Sequence, residues 1–149
     1  MKKYISKSEK QTLFFAKNFA KKLKGGDVIS LIGNLGSGKT VFTKGVAKAL
    51  NIKERVSSPT FNIIKIYNIP RTTGKKINAK YLYHIDAYRL KNSKDLINLG
   101  IDEMLSSKKT ITIIEWADKV KNILPKNNIS IQFQTTNNKN ERIIIIRNR

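Results

Sequence analysis

Residues 28–40 read Val-Ile-Ser-Leu-Ile-Gly-Asn-Leu-Gly-Ser-Gly-Lys-Thr. The first five are mostly apolar and β-branched, which predicts a short buried strand. The following eight match the pattern G-x-x-x-x-G-K-[ST], and apolar residues at helical spacing after Lys39 predict a helix directly behind them. A strand, a glycine-rich turn and a helix in this order form a phosphate-binding loop, or P-loop. We therefore predict an α/β, P-loop NTPase-like three-layer fold with a mostly parallel central sheet and flanking helices.

The residue types of this loop suit a nucleoside triphosphate, and we expect ATP with Mg²⁺. Glycines let the backbone bend so that successive N–H groups point at phosphate oxygens, and the following helix offers its free N–H groups to them. Lys39 is expected to reach the β- and γ-phosphates and to act in catalysis, and the Thr40 hydroxyl to bind Mg²⁺. The residues expected to contact the nucleotide here are Gly33, Asn34, Leu35, Gly36, Ser37, Gly38, Lys39, Thr40 and Val41.

A P-loop site also needs a carboxylate near its metal, and two residues are candidates. Glu115 ends the apolar run 111–114, and Asp86 ends the run 82–85. The carboxyl ends of strands are where ligands bind in open α/β sheets. Either acid could instead cap a turn or pair with a lysine. Spacing alone leaves open which of the two serves the metal.

Three further features lie between or beside these runs. The segment Ser58-Pro59-Thr60 follows the P-loop helix, where P-loop hydrolases often carry a serine or threonine that senses the γ-phosphate; an ordinary proline turn is the alternative. His84 alternates with Asp86 on its strand, and we interpret it as a hydrogen-bonded structural histidine rather than a general base. Trp116 directly follows Glu115, and its spacing alone favours a packing role.

Composition narrows the class of protein. The 149 residues are 40% hydrophobic, which predicts a single domain over residues 1–149 with one core. The chain has no cysteine and no apolar stretch of membrane-spanning length, so we expect neither thiolate sites nor a membrane partner, and a cytoplasmic location. The net charge is +20, with 6 arginines among the 30 basic residues. The excess of lysine over arginine is typical of proteins encoded by an A/T-rich genome, and we favour this explanation of the charge. A surface that binds RNA weakly is the alternative.

Four segments together resemble the TsaE family, and the likeness spans nearly the whole chain. They are Gly33–Thr40, then Ser58-Pro59-Thr60-Phe61, then Tyr83-His84-Ile85-Asp86-Ala87-Tyr88-Arg89-Leu90, and finally Ile114-Glu115-Trp116-Ala117-Asp118. The third and fourth segments are far more specific than the P-loop. The resemblance implies an ATPase that works with TsaB and TsaD to place a threonylcarbamoyl group on the adenosine next to the anticodon of tRNAs reading ANN codons.

The resemblance also implies roles for single residues. Thr40 and Glu115 are implied to be the magnesium ligands, Asp86 to matter for hydrolysis, and Thr60 to belong to a switch-like loop. Trp116 is implied to lie near the nucleotide, and residues 8–12 near the adenine. Two departures stand out: Asn34 replaces the usual Asp, which removes a negative charge beside the phosphates, and the connection over residues 68–80 is longer than usual.

Two other functions remain as alternatives. A small-molecule kinase of the P-loop class would need an acceptor pocket and usually an arginine-bearing lid, and the chain has few arginines. A basic, nucleotide-regulated RNA-binding module would be motivated by the net charge of +20. Hydrolysis by water, in the service of partner proteins, is the expectation that we carry forward.

Overall fold

A computed structural model describes residues 1–71 and 77–147 of the chain. The strands of the described residues are β1 (Lys2–Ser6), β2 (Val28–Ile32), β3 (Ile64–Asn68), β4 (Tyr81–Asp86), β5 (Thr110–Glu115), β6 (Ile129–Thr135) and β7 (Arg142–Arg147). The helices are α1 (Glu9–Ala20), α2 (Lys39–Ala49), α3 (Lys94–Ile97) and α4 (Ile101–Ser106), with a 3₁₀ segment at Ala117–Ile123. Part of the predicted 68–80 connection, residues 72–76, lies outside the described residues.

All seven described strands belong to one sheet, in the order β1-β7-β6-β2-β5-β4-β3. The four central strands, β6, β2, β5 and β4, run parallel to one another. The pairings outside this centre are antiparallel: β3 with β4, β6 with β7, and β7 with β1. The α/β prediction is thus confirmed, with the parallel strands in the middle of a mixed sheet.

Helices cover both faces of the sheet, which makes three layers. Side chains alternate along β2, so Ile29 and Leu31 join the core cluster that contains α1 and α2, whereas Val28 joins a second cluster on the opposite face. That second cluster contains Leu96 of α3 and Ile101 of α4. Among the described residues, no helix is both long and apolar enough to cross a membrane.

Several element boundaries differ from the sequence-based expectation. Apolar residues at helical spacing after Ser8 predict a first helix that runs to about Lys24. It ends at Ala20, because the chain then tightens into bonds from Lys22 N to Phe19 O and from Leu23 N to Ala20 O, both 3.1 Å. The sequence of residues 62–67 predicts a strand from Asn62, but β3 begins at Ile64 because Ile63 has a left-handed backbone with φ of 63°.

The short helix after Ser93 also differs in its details. Ser93 precedes α3, but its side chain does not cap it; Asn92 Oδ1 accepts from Lys94 N at 2.9 Å instead. The sequence predicts a short helix over residues 95–99 that Gly100 ends; instead, Gly100, with φ of 76°, is the N-cap of a further helix, α4, which the sequence pattern did not indicate. The edge strand β1 and the 3₁₀ segment were missed as well.

Helix α2 packs closely on α1 at one glycine. A Cβ atom added to Gly45 would lie 2.5 Å from the Ala16 Cβ and 2.8 Å from the Leu13 carbonyl oxygen. Because one of these neighbours is backbone, the two helices would have to move apart to accept it. This contact holds α2, whose first turn carries the P-loop lysine, at a fixed distance from α1.

We expect Gly45→Ala to lower the free energy of unfolding, although alanine favours helix over glycine by about 1 kcal/mol. The reason is that overpacking a tight contact costs typically 1–3 kcal/mol. Urea unfolding measures the change, and Lys48→Ala on the exposed side of α2 serves as the matched control. A more stable Gly45→Ala protein would mean that the helices have room to separate.

Candidate functional site

The P-loop connects the end of β2 to the start of α2. Gly38 is the N-cap of α2 with φ of 103°, a left-handed conformation that favours glycine. It has no side chain to cap the helix, so the first-turn N–H groups remain available to an anion. Gly33 approaches β6 so closely that an added Cβ would lie 2.7 Å from the Phe133 carbonyl oxygen. The loop is therefore shaped by backbone packing, as the glycine pattern predicted.

Lys39 is buried beneath this loop. Its Nζ donates to the carbonyl oxygens of Gly33 at 2.7 Å and Asn34 at 3.0 Å, and it lies 3.9 Å from the centre of the Trp116 ring. Burial lowers the pKa of this ammonium, and the negative charges of Glu115, Asp86 and Asp118 oppose that shift. A cation held only by carbonyls and a ring is poised to accept stronger, anionic partners.

Glu115 is the acid that meets the P-loop. Its Oε2 accepts a hydrogen bond from Thr40 Oγ1 at 3.0 Å, and its Oε1 lies 2.8 Å from His84 Nε2. The carboxylate is buried at the end of β5, where it stands opposite Asp86 in the parallel register with β4. The two acids that spacing alone did not separate thus have different neighbours.

Asp86 faces the Ser58-Pro59-Thr60 segment. Its Oδ2 accepts hydrogen bonds from the hydroxyls of Ser58 and Thr60, the latter at 3.0 Å, and its Oδ1 accepts from Tyr88 N at 2.8 Å. The backbone N of Asp86 also donates to Ile63 O at 2.8 Å, just beyond this segment. The carboxylate therefore fixes the loop whose role as a proline turn or as a switch was left open.

One cleft of ≈ 350 Å³ brings most of the predicted site residues together. Its lining consists of Leu35, Gly36, Ser37, Gly38, Lys39, Thr40, Val41, Ser58, Thr60, Asp86, Tyr88, Glu115 and Trp116. Gly33 and Asn34 lie instead along a neighbouring hollow that Trp116 and Asp118 also line. Trp116 lines both the cleft and the hollow, so it lies between them. Residues 8–12, which were expected near an adenine, are not among the residues that line the cleft.

Three contacts near the cleft involve residues that the sequence analysis did not assign to it. The Tyr88 ring packs 5.0 Å from that of Trp116, and Arg142 Nη2 donates to Gly36 O at 3.1 Å. His84, interpreted as a hydrogen-bonded structural histidine, is buried and lies within hydrogen-bond distance of Glu115. Because His84 lies two residues before Asp86, the sequence could have placed both on the same face of the strand. Nothing in the sequence linked Arg142 to Gly36 of the P-loop, which is 106 positions away.

The oxygens at the cleft suit magnesium. The Thr40 hydroxyl and the Glu115 carboxylate are hard donors, 3.0 Å apart, at the start of α2 and the end of β5. Within residues 1–71 and 77–147, no three His, Cys, Asp or Glu side chains cluster in a way that could hold a metal alone. Mg²⁺ usually takes one or two protein ligands and completes its shell with phosphate and water, so the Thr40 and Glu115 oxygens are sufficient protein ligands for it.

Comparison with known proteins agrees with this architecture. The family described as "Threonylcarbamoyl adenosine biosynthesis protein TsaE" matches residues 6–144. A tRNA threonylcarbamoyladenosine biosynthesis protein TsaE of Rickettsia bellii is 37% identical over 131 residues, which cover 87% of this chain and 84% of the relative. The TsaE protein of Bacillus subtilis is 38% identical over 129 residues, covering 87% and 75%.

A solved structure gives the same result. The crystal structure of Bacillus subtilis YdiB superposes with a TM-score of 0.75 and 34% sequence identity, covering 96% of this chain and 82% of that one. The similarity to these proteins is thus not limited to the P-loop or to the four sequence segments, but extends along almost the full chain. The chain therefore belongs to the TsaE family of threonylcarbamoyl adenosine biosynthesis proteins.

Proposed function

We propose that this protein binds ATP with Mg²⁺ in the cleft and hydrolyses the γ-phosphate slowly. The observation that carries the proposal is the contact of Thr40 with Glu115 at 3.0 Å, beside the uncapped start of α2 and the buried Lys39. This arrangement combines donors for phosphate oxygens with hard oxygen ligands for a divalent cation. The same cleft contains Asp86, a second carboxylate, whose hydrogen-bond partners are Ser58 and Thr60.

In this proposal, the role of each cleft residue follows from its position. The first-turn N–H groups of α2 bind the phosphates, and Lys39 exchanges its loop carbonyls for the β- and γ-phosphate oxygens. Thr40 and Glu115 hold Mg²⁺, which supplies positive charge that offsets the charge developing on the phosphates. Asp86 orients the attacking water through a carboxylate oxygen, with Thr60 hydrogen-bonded to that carboxylate at 3.0 Å. Trp116 covers the Lys39 side of the nucleotide.

We also propose that hydrolysis serves TsaB and TsaD in threonylcarbamoylation of the adenosine next to the anticodon in tRNAs reading ANN codons. The family description supports a place in this biosynthesis. Asp86 is tied to a loop, residues 58–60, which a bound partner could reposition. Because phosphoryl transfer depends on positioning, such a site is slow until its loop is ordered. Water is the acceptor in this proposal.

The two alternatives have less support. The residues that line the cleft include no arginine, whereas a kinase usually uses one to screen the transferring charge. Direct RNA binding rests on the net charge of +20 and on exposed lysines such as Lys10 and Lys17 of α1 and Lys21 directly after it. We propose that contact with tRNA is indirect, or weak and salt-sensitive, because lysines spread along a chain bind phosphates without reading bases.

Lys39→Met tests the phosphate contact. We expect ATP affinity to fall about 10- to 100-fold, because a hydrogen bond to a charged group contributes about 1.5–3 kcal/mol. Thermal stability without nucleotide should change little, since the variant removes a buried charge, and Gly33 and Asn34, whose carbonyl oxygens lose a donor, are half-buried and exposed. Isothermal titration and thermal unfolding measure the two effects, with Lys48→Met as the control. Unchanged ATP affinity would contradict the assignment.

Glu115→Gln and Asp86→Asn separate the two acids. We expect Glu115→Gln to weaken Mg²⁺-dependent nucleotide binding about tenfold or more, roughly 1.4 kcal/mol, because it removes the charge of a metal ligand. Asp86→Asn should leave binding near the wild-type level and slow hydrolysis by roughly 10²–10⁴-fold, the usual contribution of a positioned acid or base. A magnesium titration and a phosphate-release assay report these, and the opposite pattern would exchange the two roles.

Reconstituted tRNA modification tests the proposed function as a whole. We expect the protein alone to turn over ATP well below the typical enzyme rate of about 10 s⁻¹, and TsaB with TsaD to raise that rate clearly. Threonylcarbamoylation of tRNA should require this protein, and the Lys39→Met variant should not replace it. Fast hydrolysis alone that the partners leave unchanged, or modification that proceeds equally without this protein, would refute the proposal.

A further inference from the structure

The side chain of His84 is buried between β4 and the metal-side acid of β5. His84, Asp86 and Glu115 lie on the same face of the sheet, because the register pairs His84 with Ile113 and Asp86 with Glu115. The His84 Nε2 lies 2.8 Å from Glu115 Oε1, and neither side chain is more than 3% exposed. The other oxygen of the same carboxylate, Oε2, accepts from Thr40. Each oxygen of Glu115 therefore has its own partner.

The remaining ring nitrogen indicates how His84 makes this contact. Within the part of the chain that the structure describes, His84 Nδ1 is buried and has no hydrogen-bond partner. A proton on Nδ1 would leave a buried N–H donor unsatisfied, whereas a proton on Nε2 is accepted by the carboxylate. The geometry therefore favours the neutral tautomer in which Nε2–H donates to Glu115 Oε1.

We propose that His84 is a positioning residue for the magnesium site, an inference that rests on the proposed function. By occupying Oε1, the imidazole prevents the Glu115 carboxylate from rotating and keeps Oε2 directed at Thr40 and the cation. Mg²⁺ requires near-ideal octahedral geometry, so a fixed ligand oxygen matters more than for a permissive cation such as Ca²⁺. Hydrogen-bond partners of metal ligands typically contribute 10- to 100-fold to metal affinity or activity.

A nearby cation explains why the carboxylate needs such a restraint. Glu115 is the largest favourable charge acting on the buried Lys39 ammonium. Both side chains line the same cleft, so a carboxylate free to rotate could divide its oxygens between Lys39 and the metal. His84 holds one oxygen on the β4 side, which leaves Lys39 available for phosphates.

Variants of one position separate this role from simple filling of the core. His84→Gln retains a side-chain N–H near the position of Nε2, whereas His84→Leu fills the space without a donor and His84→Asn is too short to reach Oε1. Ile113→Val, at the paired position on β5, is a matched control that perturbs the same packing without touching a polar group. The readout is Mg²⁺ titration of ATP binding, followed by the fluorescence of Trp116, the one tryptophan of the chain, which lines the cleft.

We expect His84→Leu and His84→Asn to raise the Mg²⁺ concentration for half-saturation about tenfold, with ATP affinity in EDTA unchanged. His84→Gln and Ile113→Val should stay close to wild type, even if they unfold at lower temperature. If His84→Leu fails to fold, the comparison of His84→Asn with His84→Gln decides. Wild-type magnesium dependence in the variants without the donor, or equal impairment of His84→Gln, would overturn the inference. A wild-type protein whose ATP binding ignores Mg²⁺ would instead refute the proposed metal site itself.

Discussion

The parallel register of β2, β5 and β4 is the constraint on which the site depends. Leu31 of β2 pairs with Glu115 of β5, and Glu115 pairs with Asp86 of β4, so three strands end at the same edge of the sheet. Because side chains alternate along a strand, a slip of β4 or of β5 by one residue would turn the acid of that strand to the opposite face. The P-loop leaves β2 at this edge, and α2 returns on the face to which Glu115 points. The pairing of the strands thus brings together candidate site residues that are far apart in sequence.

Acidic side chains are grouped around the cleft, although the molecule as a whole is strongly basic. The chain carries 10 acidic residues and a net charge of +20, yet three of these acids, Asp86, Glu115 and Asp118, act electrostatically on Lys39. This local excess of negative charge compensates a buried ammonium and favours a divalent cation next to it. Asn34 in the P-loop is neutral, and Asp118 lines the same hollow as Asn34. Asp118 therefore contributes a negative charge to that hollow.

The elements with strong local patterns were predictable, and those that depend on tertiary pairing were not. The apolar run of β2, the glycine-rich loop and the strand ends at Asp86 and Glu115 follow from composition and periodicity, and the structure confirms their placement. By contrast, β1 is short and polar, and it forms a strand only because β7 lies beside it. No local pattern identifies the partner of His84, since its distance to Glu115 depends on the register between two strands.

Backbone conformation was the other unpredictable part. Ile63 and Trp116 adopt left-handed backbones, with φ of 63° and 58°, although β-branched and aromatic side chains disfavour them. Each lies shortly after a part of the candidate site: Ile63 comes after residues 58–60, and Trp116 comes after Glu115. Strain of this kind persists only where surrounding contacts enforce it, so propensity scales place it poorly. The left-handed backbone of Ile63 explains why β3 begins only at Ile64. That of Trp116 ends β5 and leads into the 3₁₀ segment.

The pairing of β1 with β7 has a consequence for the order of folding. Lys2 lies opposite Ile146, so the first of the described strands pairs with the last. During synthesis on a ribosome, this part of the sheet cannot form until β7 has emerged, and β2 likewise cannot be paired on both sides until β5 and β6 are present. Contacts between such distant segments form slowly, because chain entropy must be lost before they are made. The nascent protein therefore passes through a stage with unpaired strand edges, when it is most exposed to aggregation and most dependent on chaperones.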